Sequence, residues 1–165
     1  MPAPHGPDTT IHPAGASEAA IRPAVAADAA SVARLSADLG YPTEPDVMRA
    51  RLERLAGLED HAVFVACRGD EVVGWIHVLV AEHLQAESRA EIGGLVVAPG
   101  CRGEGLGGRL VASAEQWARR RGLPNILVRS QIAREAAHRF YRRQGYTPTK
   151  TSAVFAKPLP GDVTD

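Results

Sequence analysis

Four segments of the chain place apolar residues at helical spacing. In the first, Val32, Leu35 and Leu39 share one face between Asp28, a residue type that often caps helices, and Gly40. Three more segments follow the same pattern and cover residues 46–55, 105–121 and 132–143. We therefore predict four amphipathic helices.

Six other segments are short, rich in β-branched residues and bounded by turn residues, which is typical of strands. They cover residues 20–25, 61–68, 71–84, 90–97, 125–130 and 151–159. The turn sequence RGDE joins the second to the third and predicts a hairpin. Gly93 and Gly94 interrupt the fourth and predict a bulge or a close backbone approach. Because strand, helix and strand alternate in the second half, we predict a parallel crossover and a mixed sheet with helices on both faces.

The chain has 165 residues, enough for one domain and too few for two ordinary ones. Residues 1–19 are rich in Pro, Gly, Ala, Ser and Thr and have no periodic pattern. We expect these residues to form a disordered tail, residues 20–158 to form the folded domain, and residues 159–165 to form a second tail.

Charge and cysteine content narrow the class of protein further. The formal net charge is zero, which disfavours a nucleic-acid partner. No apolar run approaches the roughly 20 residues of a membrane span, and no basic region followed by an apolar run marks a secretory signal. Cys67 and Cys101 provide no framework for disulfides or a metal site. We expect a reduced, cytoplasmic protein without a membrane partner.

Five of the sixteen glycines lie within residues 100–108, at the start of the third predicted helix. A P-loop would end in Gly-Lys-Ser/Thr, but Gly108 is followed by Arg109. The spacing Gly103-x-Gly105-x-x-Gly108 matches the dinucleotide fingerprint, yet residues 125–129 contain no acidic residue for the ribose. A tight strand-to-helix turn without a ligand is a further interpretation.

A longer frame gives a third phosphate-binding interpretation. The segment RGEGLG (residues 102–107) has the form Arg-x-x-Gly-x-Gly, and AHRFYRRQGY (residues 137–146) follows a later strand. Together they resemble the acyl-CoA-binding motifs of the GNAT superfamily of N-acetyltransferases, and the resemblance covers residues 20–158. It implies an α/β (α+β) GNAT fold, with a mixed, mostly antiparallel central sheet of about six or seven strands and helices on both faces.

The resemblance also implies how the cofactor, acetyl-CoA, is held. Glycines at a helix N-terminus leave backbone N–H groups uncovered, and these donors with the positive dipole end suit a pyrophosphate. In the family, the strand before this loop pairs with the pantetheine arm, and a backbone N–H there stabilises the thioester oxyanion. The implied contacts are Leu95, Val96, Val97, Arg102, Gly103, Glu104, Gly105, Leu106 and Gly107.

Two side chains match catalytic positions of the family. Tyr141 matches a tyrosine near the thioester sulfur, and the match implies that it is the general acid for the leaving thiolate. The alternative is that Tyr141 is an aromatic residue of the helix with its ring half-buried in the core. Glu91 matches a glutamate that some members use as general base, and otherwise is a solvated or ion-paired strand residue. His77 and His138 are alternative bases.

One position departs from the commonest pattern of the family. Many members carry Asn six residues before the motif phenylalanine, where this chain has Arg134. Arginine is also found there in part of the family and can reach a CoA phosphate. Ser130, at the end of its predicted strand, is a further candidate for a cofactor contact.

The acceptor is the part of the implied reaction that the sequence specifies least. In this fold the acceptor cleft is lined by the first two helices, their loop and the hairpin, which here supply Asp38, Tyr41, Glu44, Asp46, Trp75, Glu82 and His83. Acidic and aromatic groups suit a cationic amine, and the alternative interpretation, which applies to most of these residues, is a solvated loop with surface charges. The resemblance implies an N-acetyltransferase that acts by direct attack of a primary amine, from a small molecule or a protein. The alternative is a non-catalytic acyl-CoA-binding module, and a homodimer is compatible with the resemblance.

Overall fold

The computed structural model describes residues 19–159, so the predicted tails over 1–19 and 159–165 lie almost wholly outside the described residues. The chain divides into two compact units, Met1–Arg129 and Ser130–Asp165, of which residues 19–129 and 130–159 are described. Within these ranges no helix is both long and apolar enough to cross a lipid bilayer.

The helices lie where helical spacing predicts them. Pro45 occupies the first turn of α2, where its missing N–H has no helical acceptor to lose. A turn over residues 132 and 133 delays the start of α4 to Glu135. The bounds are α1 (Ala29–Asp38), α2 (Pro45–Ala56), α3 (Leu106–Arg120) and α4 (Glu135–Arg143).

A mixed sheet forms the centre of the first unit. Its strands, in spatial order, are β1 (Ala20–Pro23), β2 (His61–Arg68), β3 (Glu71–His83), β4 (Ala86–Val97) and β5 (Ile126–Val128). The first four pair antiparallel, and β5 runs parallel to β4. Because α3 lies between β4 and β5 in the chain, it carries the backbone back so that β5 can start in the same direction.

The prediction of a final strand over residues 151–159 is wrong, and within the described residues the sheet has five strands instead of six or seven. Every residue of this segment is exposed, and Phe155 keeps 94% of its surface accessible. A run of β-branched and aromatic residues becomes a strand only when a neighbouring backbone completes its hydrogen bonds. No described strand pairs with this segment.

Each face of the sheet packs against its own helices, as predicted. On one face, Val65 and Val96 join a core with buried residues of α1 and α2. On the other face, Gly74 lies against α3, since a Cβ there would sit 3.3 Å from Leu110 Cδ1. The stripe of α3 that covers this face is fully buried and consists of Leu106, Leu110, Val111, Ala114, Trp117 and Ala118.

The paired glycines of β4 form the predicted bulge. His77 of β3 pairs with Gly94, whereas the next residue, Val78, pairs with Ile92, so Gly93 is the extra residue between them. A Cβ on Gly93 would lie 2.8 Å from the Nδ1 atom of His77. Glycine is therefore required here by a close side-chain approach from the neighbouring strand.

Asp28 marks the start of α1, as predicted, but its side chain makes no capping bond to that helix. Its carboxylate accepts the N–H of Val25 at 2.8 Å and two bonds from Arg22, each at 2.8 Å. The Arg22 hydrogen bonds lower the pKa of Asp28 below its ordinary value, although burial acts in the opposite direction. This ion pair ties β1 to the beginning of α1.

Candidate active site

The loop between β4 and α3 contains two glycines with left-handed backbone. Gly103 has φ +83° and Gly105, the residue directly before α3, has φ +80°. L side chains rarely adopt this conformation, whereas glycine does so without a steric cost. A Cβ on either glycine would meet nothing within 4 Å. The glycines are thus required by backbone conformation, and the space around the loop is open.

The start of α3 presents backbone donors without acceptors inside the helix. The first helical bond runs from the N–H of Arg109 to the carbonyl oxygen of Gly105, at 3.1 Å. The N–H groups of Leu106, Gly107 and Gly108 precede it. Leu106 has its side chain in the core at 3% exposure, so only its backbone is open to a ligand. These donors and the positive end of the helix dipole fit a diphosphate.

The two charged residues of the loop are held by other parts of the first unit. Arg102 donates from Nε of its side chain to the carbonyl oxygen of Val97 at 3.1 Å. Glu104 pairs with Arg68 of β2. The ion pair neutralises a carboxylate that would otherwise repel a bound phosphate.

The bulge reverses which residues of β4 direct their backbone N–H groups toward the β5 edge. Before it, the N–H of Ala90 donates to Asn125, just ahead of β5, at 3.0 Å. Beyond it, the N–H of Ala98 donates to Val73 of β3 at 2.8 Å. Both donors belong to even-numbered residues, whose N–H groups would point to the same edge of a regular strand. They point to opposite edges here because Gly93 adds one extra residue between them.

By the same alternation, Leu95 and Val97 direct their backbone groups away from β3. The parallel pairing with β5 ends at Ile92, which lies opposite Val128, so no described strand covers this edge beyond the bulge. Val96 has its side chain in the core and its backbone toward β3. An extended arm with amide groups can therefore pair with β4 between the bulge and the glycine loop.

Glu91 lies directly before the bulge on the half-exposed face of β4, while its neighbours Ala90 and Ile92 are buried. Its carboxylate accepts two bonds from Arg129, from Nε at 2.9 Å and from a terminal nitrogen at 3.4 Å. The Glu91 side chain is 18% exposed and that of Arg129 is 59% exposed. The Arg129 guanidinium therefore holds the Glu91 carboxylate in place.

His77 is paired with a second histidine that sequence reasoning missed. The Nδ1 atom of His61 on β2 lies 2.9 Å from Nε2 of His77, and the rings stack with centroids 5.2 Å apart. Burial, with a smaller contribution from His61, lowers the pKa of His77 to about 4. His77 is therefore neutral near pH 7, and the bond requires one ring to donate and the other to accept.

A cavity of about 420 Å³ opens on the α1 and α2 face and reaches the bulge at Gly93. Of the seven acceptor-cleft residues expected from the sequence, Tyr41 and Trp75 line it; the carboxylates of Asp38, Glu44, Asp46 and Glu82 and the His83 ring do not. The full lining is Val32, Ser36, Leu39, Tyr41, Thr43, Met48, Arg51, Leu52, Leu55, Val63, Trp75, His77 and Gly93.

The second unit carries the other motif. Tyr141 on α4 makes edge-to-face contacts with Phe140 and Tyr146, with ring centroids 5.1 Å and 5.5 Å away. Burial raises the pKa of Tyr141 to about 12, so its hydroxyl keeps its proton at neutral pH. Arg134 immediately precedes α4. Ser130 is exposed and lies beyond the end of β5 at Val128, outside the strand in which it was predicted.

Three features of this site escaped sequence reasoning: the His61–His77 bond, the Glu91–Arg129 pair and the role of Arg51 in the cavity wall. The hairpin register could have indicated the first, since it places Val63 opposite His77 and so brings His61 within diagonal reach. The other two join residues from distant parts of the chain and have no local signal.

Residues 30–146, more than half of the chain, match the sequence model of the acetyltransferase (GNAT) family. Over 149 residues, the chain is 33% identical to the aminoglycoside N(6')-acetyltransferase type 1 of Stenotrophomonas maltophilia, covering 87% of this chain and 96% of that protein. Over 83 residues, it is 43% identical to the aminoalkylphosphonate N-acetyltransferase of Salmonella typhimurium (strain LT2), covering 50% and 54%.

The fold agrees with these sequence matches. A solved structure of an aminoglycoside N-acetyltransferase in complex with CoA superposes with a TM-score of 0.80 over 90% of this chain and 100% of that chain. The identity is 17%, so this likeness concerns the fold alone.

Proposed function

Because this chain belongs to the acetyltransferase (GNAT) family, we propose that it acetylates a small primary amine by direct attack of the amine on acetyl-CoA. Acetyl-CoA-dependent N-acetyltransferase activity follows from family membership and from the named relatives. The acceptor class and the roles of individual residues are the proposed part. Both named relatives act on small molecules, which favours a small acceptor over a protein amine.

The observation that carries the proposal is a pair of open backbone stretches in one connected segment, namely the edge of β4 beyond the bulge, which no described strand covers, and the glycine turn at the start of α3. Leu95 and Val97 are proposed to pair with the pantetheine arm through their backbone, with Val96 fixing the strand in the core. The N–H groups of Gly103 to Gly107, with the Arg102 guanidinium, are proposed to bind the diphosphate. Ser130 and Arg134 are proposed as further contacts to the cofactor.

Acetyl-CoA supplies the acetyl group as an activated thioester. The N–H of Leu95 is the first donor beyond the bulge that points to the open edge, and we propose that it stabilises negative charge on the thioester oxygen. Its position after Gly93 explains why the bulge matters for chemistry: without the extra residue, that N–H would point toward β3.

The attacking ammonium group loses two protons in all, and the departing thiolate gains one. One proton leaves the nitrogen for solvent after the carbon–nitrogen bond has formed, and the other two transfers are proposed to involve side chains. Glu91 is proposed to receive a proton from the attacking ammonium group, directly or through water, with Arg129 holding the carboxylate in position. Tyr141 is proposed to donate its hydroxyl proton to the departing thiolate, and burial keeps that proton in place beforehand. The bond that forms joins the amine nitrogen to the acetyl carbon, and the bond that breaks is the carbon–sulfur bond.

The decisive experiment measures release of the CoA thiol with a panel of primary amines. Tyr141→Phe is expected to lower turnover about a hundredfold, in the range of general acid–base effects, while leaving the acetyl-CoA thermal shift unchanged. At about 100 times its dissociation constant, acetyl-CoA should stabilise wild type and variant alike by about 2.7 kcal/mol. Acetyl-CoA binding without acetylation of any amine would point to a non-catalytic acyl-CoA-binding module.

The general base is tested by the pH profile. Glu91→Gln is expected to depress the rate most at low pH, where fewer amines are already deprotonated, whereas the exposed Glu87→Gln on the same strand should not. A constant ratio of variant to wild-type rate across pH would count against Glu91. The same profile for His77→Gln distinguishes the alternative base.

A further inference from the structure

We propose that the acceptor amine also carries an anionic group, a carboxylate or a phosphonate, and that Arg51 binds this group. The inference rests on the proposed acetyl transfer and names the substrate class of the same site. It comes from the charge of the cavity wall and from the way Arg51 is held within it.

The cavity wall has one charged group of fixed sign. Among its thirteen lining residues Arg51 is the only one with a permanent charge, and no carboxylate lines the cavity. His77, whose ring also lines it, is neutral near pH 7. A polycationic acceptor would find an arginine in the cavity wall and no carboxylate among the lining residues to balance its several charges, which penalises binding. An acceptor with an anionic group reverses the sign of that interaction. Glu91, the proposed base, lies outside this lining and is paired with Arg129.

Arg51 is available to a ligand. It lies on α2 and is exposed, and within the described residues no carboxylate lies at ion-pairing distance from it. One terminal nitrogen donates to Oγ1 of Thr43 at 3.3 Å, which links α2 to the preceding loop. A guanidinium has five N–H donors in a planar fork, so the remaining donors match the oxygens of a carboxylate or a phosphonate.

The two ends of the cavity match the two ends of such a molecule. Gly93 and His77 lie at the bulge, beside the edge of β4 where the thioester is proposed to bind. Arg51 and Thr43 belong to α2 and the loop before it. The wall between these ends is mainly apolar, with Val32, Leu39, Met48, Leu52, Leu55 and Val63. An amine at the bulge and an anion at Arg51, joined by a short apolar chain, would satisfy both ends.

The test compares matched amines with and without an anionic group. The pairs are β-alanine with propylamine and aminoethylphosphonate with ethylamine, and an aminoglycoside serves as the polycationic arm. For wild type we expect the anionic member of at least one pair to have the higher kcat/KM. Arg51→Gln should lower kcat/KM for that member about ten- to hundredfold, mainly through KM, and leave the neutral amine within about twofold. Arg49→Gln, an exposed arginine on the same helix, is the matched control.

The outcomes separate this inference from the proposed function. Preference for the neutral amines or the aminoglycoside, or an equal loss for all amines in Arg51→Gln, would overturn the anionic acceptor while leaving acetyl transfer intact. Loss of selectivity in Arg49→Gln to the same extent would also overturn it. If no amine is acetylated although acetyl-CoA binds, the proposed function fails and the acceptor assignment fails with it. The carboxylate and phosphonate arms identify which anion the site prefers.

Discussion

The half-buried histidine at the bulge, His77, should make the fold sensitive to mild acid. The perturbation is a change from about pH 7.5 to about pH 4.5. His77 has a pKa of about 4 in the folded protein, against 6.5 ordinarily, mainly because burial disfavours its charged form. Below pH 6.5 the unfolded chain binds a proton that the folded chain rejects. The stabilisation by neutral His77 is therefore complete above 6.5 and is lost as the pH falls toward 4.

The magnitude follows from the distance between the two pKa values. Each pH unit between them corresponds to about 1.4 kcal/mol, so the upper limit is about 3 kcal/mol. His77 is half-buried, and a cavity beside it admits water, so we expect a loss of about 1–3 kcal/mol. A domain of this size commonly has about 5–15 kcal/mol of total stability, which makes the effect measurable.

The assay is urea unfolding followed by circular dichroism at a series of pH values. His77→Gln removes the titrating ring and offers an amide near the position of Nε2, which bonds to His61. The control is His83→Gln, an exposed histidine at the end of the same strand. Wild type and the control should lose stability between pH 6.5 and 4 more steeply than His77→Gln. The pKa of Asp28 is lowered from its ordinary value of 3.8, so the stability that its ionised carboxylate contributes is lost below the range of pH 6.5 to 4.

Equal pH dependence in wild type and His77→Gln would refute the reasoning, because the acid sensitivity would then come from other groups. Equal stability at neutral pH is not required, since the comparison uses slopes within each protein.

Three further predictions concern backbone conformation, packing and an ion pair. Gly105→Ala should lower the free energy of unfolding in urea by about 1 kcal/mol, because a backbone φ of +80° disfavours a side chain. It should also weaken acetyl-CoA binding measured by calorimetry. Unchanged affinity would contradict the proposal that this loop binds the cofactor. Gly74→Ala should lower the free energy of thermal unfolding by about 1–3 kcal/mol, since the new Cβ would lie 2.9 Å from a backbone oxygen of β4. The control, Gly100→Ala, has open space around its Cβ and should lose much less stability. Asp28→Asn should cost about 1–3 kcal/mol in urea unfolding because it breaks a doubly bonded ion pair whose carboxylate is buried. Glu71→Gln, at an exposed pair whose atoms lie 3.8 Å apart, should change stability by less than about 1 kcal/mol. Equal losses in the two variants would contradict the argument.

Local signals located the elements and the loop of this protein. Helical spacing identified α1 to α4, and β2 was predicted with the bounds it has. The tandem glycines indicated the bulge, and the left-handed conformations of Gly103 and Gly105 are of the kind that glycine clusters serve. Each of these depends on residues within a few positions of one another, so the sequence alone contains the necessary information.

Pairing between distant segments was decided only by the folded chain. Residues 151–159 have the composition of a strand and find no partner, because a strand depends on a neighbour that composition does not reveal. Likewise, Glu91 meets Arg129 only because β5 returns beside β4, and the expected acidic cleft residues lie outside the cavity that Arg51 lines.

The sequence by itself therefore determined the class of fold and the glycine loop that we propose to hold the acetyl donor, since both are built from local signals. The tertiary structure decided the electrostatics of the acceptor side, namely which carboxylate is ion-paired, which histidine is buried and which charge lines the cavity. The physical reason is that burial and charge pairing depend on side chains brought together from different elements, and those distances exist only after the sheet and helices have packed.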